Sequence, residues 1–155
     1  MKKFLAALAI GLMTAVLALP VMAQAPASPS FPPIVTEKVK EARQTIKTID
    51  MAAFRKVIDN PGNALIVDVR EPNEYAAGHI PGAINVPRGV IEFQIWKHVG
   101  FPDKTDTAKE IYLYCATGGR CSFAAKSLQD LGFTKVVAAT MVLADWAKAG
   151  HPLVK

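Results

Sequence analysis

The chain has 155 residues, of which 51% are hydrophobic and 20% charged. That composition excludes a disordered, collagen-like or low-complexity chain over most of its length, and the length accommodates one domain rather than two. The formal charge of +5 arises from acids and bases mixed along the chain with no Lys/Arg block, which argues against a dedicated nucleic-acid binder, and two cysteines are too few to build a disulfide fold.

Residues 1–23 read as a secretory signal peptide. Lys2 and Lys3 make a positive start, Phe4–Leu19 carries no charge, Pro20 breaks the run, and Val21-Met22-Ala23 presents a peptidase site after Ala23. The apolar run is shorter than the ~20 residues a spanning helix needs, which disfavours the alternative of an uncleaved anchor. No cysteine lies near the cleavage point for lipid attachment. Cleavage removes two lysines and no acid, taking the formal charge from +5 to +3. The expectation is an exported, periplasmic protein with no membrane attachment, in an oxidising compartment.

Gln24–Pro33 is rich in Pro, Ala and Ser and reads as a linker, leaving 34–155 as the domain. Val39, Ala42 and Ile46 have helical spacing within 36–47. Asp50 is placed to cap a second helix carrying Ala53, Phe54, Val57 and Ile58 on one face, stopped by Asn60-Pro61-Gly62. Short apolar strands follow at 65–69, 83–86, 111–114 and 135–138. Between and after them helices are expected at 88–99, at 122–131 with Gly132 closing it, and at 141–149 before Gly150 and Pro152. Apolar strands alternating with helices predict an α/β fold, a parallel sheet covered on both faces.

The third of these strands runs directly into Cys115-Ala116-Thr117-Gly118-Gly119-Arg120, with a helix behind it. In open α/β sheets, sites form at the carboxyl ends of strands. A short loop wrapped around its own first side chain must aim several N–H groups inward. Gly118 and Gly119 permit the dihedrals this needs, and the helix N-terminus adds free N–H groups and partial positive charge. The result is an anion nest around the Cys115 sulfur, which predicts a lowered thiol pKa, with Arg120 closing the loop as a fixed cation. Such a sulfur is a nucleophile that can hold an anionic adduct. A persulfide fits: the thiolate takes a sulfane sulfur from a donor and a second nucleophile removes it, which is covalent ping-pong catalysis.

Two stretches resemble the rhodanese family of sulfurtransferases in its single-domain form. One is Asp68-Val69-Arg70-Glu71 followed by Tyr75-Ala76-Ala77-Gly78-His79-Ile80-Pro81-Gly82-Ala83-Ile84-Asn85-Val86; the other is the Cys-x-x-Gly-x-Arg loop at 115–120. The resemblance spans about residues 48–153. It implies an open sheet of about five strands between helices, Cys115 as the persulfide-forming nucleophile, and a cradle for the outer sulfur from the backbone amides of Ala116, Thr117, Gly118, Gly119 and Arg120. It implies no metal or organic cofactor. Related phosphatases and arsenate reductases use a loop one residue longer; here Arg120 stands at the sulfurtransferase spacing. The chain departs from the family pattern in having Cys121 where Ser is common, Ala139-Thr140 where Gly-Gly is common, and no second basic residue in the loop.

The expected partners are a small sulfur donor, such as thiosulfate or a polysulfide, and a thiophilic acceptor, which could be a protein. Arg88, just after the second strand, could supply a cation at the pocket rim. Cys121 reads either as a partner that resolves Cys115 or as a small buried residue turned elsewhere. His79, in a Gly-His-Ile-Pro-Gly turn, reads as structural, and Asp68 with Arg70 as a loop-orienting pair. His79, His98 and His151 lack metal-site spacing. Phe93, Ile95 and Trp96 are expected at a core or pocket edge, and Trp146 in the core. Two other functions remain open: a sulfur-carrier or binding module with little turnover of its own, and a thiol–disulfide protein using Cys115 and Cys121.

Overall fold

The computed structural model describes residues 31–155. The signal peptide expected at 1–23 and most of the linker, 24–30, lie outside the described residues. Among the described residues, no helix is long and apolar enough to cross a membrane.

Among the described residues six α-helices and five strands follow in chain order: α1 (Pro33–Thr45), β1 (Lys47–Ile49), α2 (Met51–Asp59), β2 (Leu65–Asp68), α3 (Pro72–Ala77), β3 (Ile84–Asn85), α4 (Ile91–Gln94), β4 (Ile111–Tyr114), α5 (Gly119–Asp130), β5 (Val136–Ala139) and α6 (Leu143–Lys148). The strands form one all-parallel sheet in the order β1-β5-β4-β2-β3. The α/β parallel fold expected from the apolar strands is therefore present.

Alternation along the strands divides the core in two. Val67, Leu113, Cys115 and Ala138 face a cluster with Ile46, Ile91, Ile95, Ala124 and Leu128. Ile66, Tyr114 and Ala139 face the opposite cluster with Phe54 of α2 and Leu143 and Trp146 of α6. Strand period two thus assigns the side of Cys115: it continues the row Ile111–Leu113 toward α5.

Local chemistry explains the element ends. The Asp50 side chain accepts from the Ala53 N–H at 2.7 Å, capping α2 as anticipated. Replacing it by alanine is expected to lower stability by about 1 kcal/mol, read from the urea midpoint at unchanged slope. α5 begins at Gly119, three residues before the expected start, because the loop's glycines turn straight into the helix.

Three elements depart from expectation. β1 was not anticipated, and it takes Lys47, the last residue of the helix expected over 36–47; Ile46 is already extended and Thr48 and Ile49 are β-branched, so pairing with β5 at the sheet edge wins over helix continuation. α3 was not anticipated, although its reciprocal Glu71/Glu74 capping box and Pro72 in its first turn are written in the sequence. The single helix expected at 88–99 is instead a 3₁₀ turn at Arg88–Val90, one α turn and a second 3₁₀ turn at Ile95–His98. Val90 leaves helical geometry at φ −135°, and the Trp96 indole donates at 2.7 Å to the Glu92 carbonyl that a longer helix would use. Ile95 and Trp146 are buried as expected, whereas Phe93 is 82% exposed.

Candidate active site

β4 carries Cys115 to the carboxyl edge of the sheet, and the chain then folds back over it. The Gly118 N–H donates to Cys115 Sγ at 3.2 Å. Gly118 reaches this position at φ +82°, a left-handed conformation that a side chain resists, and a methyl built there would lie 2.8 Å from the Arg43 guanidinium. The backbone following β5 braces the loop, with the Leu143 N–H donating to the Ala116 carbonyl at 2.9 Å.

Cys115 is 1% exposed, and its thiol pKa is nonetheless lowered to about 6. The largest cause is a hydrogen bond from the Cys121 thiol; burial opposes it, and the backbone N–H groups of Cys121, Thr117 and Gly118 add to the lowering. Of the loop amides, that of Gly118 is the one hydrogen-bonded to the sulfur, at 3.2 Å. Cys121 is a small buried residue, as one of its two readings had it. It is fully buried in the first turn of α5, where it also reaches the Gly118 carbonyl at 3.3 Å and the Ala139 carbonyl at 3.4 Å. Its own pKa is raised, first by donating to Cys115 and then by burial, so it stays a protonated donor.

Arg120 leaves the loop toward α3 and forms a two-pronged ion pair with Glu74, at 2.6 and 2.9 Å. Arg120 holds the Glu74 carboxyl below the usual carboxylate range. Sequence reasoning missed Glu74; the signal was its place in the capping box, which fixes α3 against the loop. Asp68 and Arg70 form a buried ion pair at 2.6 Å, and Arg70 also donates to the Gly78 carbonyl at 2.8 Å. His79 is held by backbone pairing with Val154 and stacks on Tyr75 at 3.7 Å, the structural role expected for it. Arg88 lies apart: its guanidinium is taken by Glu92 at 2.9 Å and Ser127 at 3.2 Å.

A cleft of about 440 Å³ runs beside the loop. Ala116 and Thr117 line it together with Arg70 and Glu74, and apolar residues of α6 such as Leu143 and Ala147 form another wall. Arg88, Arg120 and Cys115 are not among its lining residues. Its two charged residues are each neutralised, Arg70 by Asp68 and Glu74 by Arg120. Among the described residues, no group of three or more His, Cys, Asp or Glu could hold a metal ion.

The parallel sheet thus delivers Cys115 from the end of β4 into a strand-to-helix loop at its carboxyl edge. The family model for the rhodanese-like domain matches residues 50–149, and the chain belongs to that family. It is 32% identical over 125 residues to the thiosulfate:glutathione sulfurtransferase of Saccharomyces cerevisiae, covering 74% of this chain and 88% of the relative. It is 34% identical over 110 residues to a Bacillus subtilis protein named "Putative sulfur carrier protein YrkF", covering 71% of this chain; that match spans 56% of the relative's length, just over half. A solved structure from Rhodopseudomonas palustris, of a protein of unknown function, superposes with a TM-score of 0.64 at 30% identity, covering 77% of this chain and 93% of that one. The domain and its sulfurtransferase relatives support sulfur transfer as the general activity.

Proposed function

We propose that this protein is an exported sulfurtransferase that works through a persulfide on Cys115. The observation that supports the reading is Cys115 itself: held at the end of β4 with the Gly118 N–H on its sulfur, its ionisation lowered to about pH 6. The thiolate attacks the outer sulfur of a donor such as thiosulfate. A bond from Cys115 Sγ to that sulfur forms, the donor's S–S bond breaks, and sulfite leaves with the electron pair. The negative charge now sits on the outer sulfur, where the amides of residues 116–120 are the available donors. An acceptor thiolate then attacks the outer sulfur and expels the Cys115 thiolate, which restores the protein and gives an acceptor persulfide. No proton needs to be removed from Cys115 at neutral pH, so a general base is unnecessary. Arg120, anchored by Glu74, ties the loop to α3, and its charge acts on the sulfur through space. Arg88 has no part in this reading, because Glu92 and Ser127 hold it. Periplasmic localisation is proposed on the pattern of residues 1–23 alone.

The test is intact mass after exposure to thiosulfate, inorganic polysulfide and an organic persulfide. The expected result is a gain of one sulfur atom, absent in Cys115→Ser and retained in Cys121→Ser. Absence of the gain with every donor would defeat the reading. A second reading, a carrier that loads once and passes sulfur to a protein, is favoured by the Bacillus subtilis relative. Rapid turnover of small donor and acceptor by the isolated protein rejects it; loading without turnover supports it.

A further inference from the structure

The loop's support comes from a helix that lies outside the family-matched residues 50–149. Arg43, in the last turn of α1, donates through Nε to Ser122 Oγ at 3.1 Å. Ser122, wholly buried in α5, donates in turn to the Gly118 carbonyl at 2.6 Å. The peptide joining Gly118 to Gly119 therefore has its oxygen gripped by a hydroxyl that a cation polarises, and the Cys121 thiol reaches the same oxygen at 3.3 Å. On the other side of the same residue, the Gly118 N–H donates to the Cys115 sulfur at 3.2 Å. The fit is close: the Arg43 guanidinium fills the space beside Gly118, and a methyl built at Gly119 would lie 3.6 Å from Val39 of α1. Among the described residues no carboxylate pairs with Arg43, so its charge is directed at this chain of hydrogen bonds.

We infer that Arg43 is a positioning residue for the sulfur site, acting through Ser122 to lock Gly118 in its left-handed turn and thereby to hold the Gly118 N–H on the Cys115 sulfur. Holding the Gly118 carbonyl fixes the orientation of the residue whose N–H donates to the sulfur. The inference rests on Cys115 being the working thiolate. It adds that the competent site spans α1 as well as the family-matched domain. The other groups facing the sulfur are Cys121 and Arg120 of α5, with Glu74 of α3 neutralising Arg120.

The experiment follows the pH dependence of Cys115 alkylation by iodoacetamide in the full chain, located by peptide mass, for Arg43→Gln, Ser122→Ala and their double variant. Each single change is expected to raise the midpoint by about half a unit to one unit, from the loss of one charge-assisted link. The rate at pH 6 should then fall about two- to fivefold. The double variant is expected to shift no further than the larger single one, because both changes cut the same chain, and Arg43→Lys is expected to recover part of the shift. A midpoint unmoved in Arg43→Gln, or fully additive shifts in the double variant, overturns the inference; loss of stability alone does not move a midpoint measured on folded protein. Alkylation needs no sulfur donor. Failure of every donor to load the wild-type protein defeats the proposed function while leaving this test intact.

Discussion

Sulfur loading of the wild-type protein is expected to rise with pH along a single ionisation centred near 6 and to be flat above about pH 7.5. The reason is the balance at Cys115: the Cys121 thiol, helped by the amides of Cys121, Thr117 and Gly118, outweighs burial and brings the pKa to about 6. At pH 5 about one molecule in eleven carries the thiolate, so the rate should fall about tenfold from its plateau. A cysteine with the free value of ~8.5 would instead give a rate still climbing tenfold per unit between pH 5 and 8. Stopped-flow measurement with thiosulfate across this range separates the two profiles, and a climb persisting past pH 8 would contradict the assigned geometry. Cys115→Ser is expected to lower transfer by on the order of a thousandfold or more, since its hydroxyl does not ionise under these conditions. The same shift links ionisation to folding. Below about pH 6 the thiol is protonated in both folded and unfolded chains and contributes nothing. Between pH 6 and the unfolded value of ~8.5 the folded chain carries the thiolate and the unfolded chain mostly does not, so its stabilising contribution grows with pH and is lost as pH falls back through 6. Cys115→Ala should remove that rise from the stability profile.

The parts of this site legible in the sequence are those determined by local backbone chemistry. An apolar strand ending in Cys115, two glycines and a helix start forces amides inward, and strand alternation settles which face of the sheet the sulfur serves. The Asp68–Arg70 pair was readable too, because a carboxylate at the end of a buried strand must find a partner. What escaped the sequence depends on residues far apart in the chain. Glu74 meets Arg120 across 46 positions and Arg43 meets Ser122 across 79. No periodicity encodes such pairs; they exist because the sheet order brings α1 and α3 around the β4–α5 loop. Cys121 was visible as a buried residue but not in its contacts, since its rotamer is chosen by the Gly118 and Ala139 carbonyls, the latter supplied by a neighbouring strand. The segment 88–99 misled for a related reason: its buried Ile91 and Ile95 have helical spacing, but the indole of Trp96 competes for the carbonyl that would have continued the helix.

Asp68→Ala is expected to be among the most damaging changes away from the sulfur. Asp68 is fully buried and Arg70 is 6% exposed. The guanidinium reaches both carboxylate oxygens through Nε at 3.0 and 2.9 Å and one of them again through Nη2 at 2.6 Å, and the Arg70 N–H adds a further bond at 3.0 Å. Removing the carboxylate leaves Arg70 with the Gly78 carbonyl as its remaining partner and a buried charge without a counterion. Breaking one side of such a pair costs about 3–5 kcal/mol, a large part of the ~5–15 kcal/mol that holds a domain folded. The damage should reach the site, because Arg70 and Gly78 line the cleft and the Asn85 side chain ties the carbonyls of Asp68 and Arg70 to β3. Adding Arg70→Met to Asp68→Ala removes the stranded charge and should return stability to within about 2 kcal/mol of wild type, since an apolar side chain of similar length tolerates burial. Urea unfolding of the single and double variants decides it. A single variant that loses less than about 1 kcal/mol, or a double variant no more stable than the single, would show that the pair is not the buried, mutually dependent unit the distances describe.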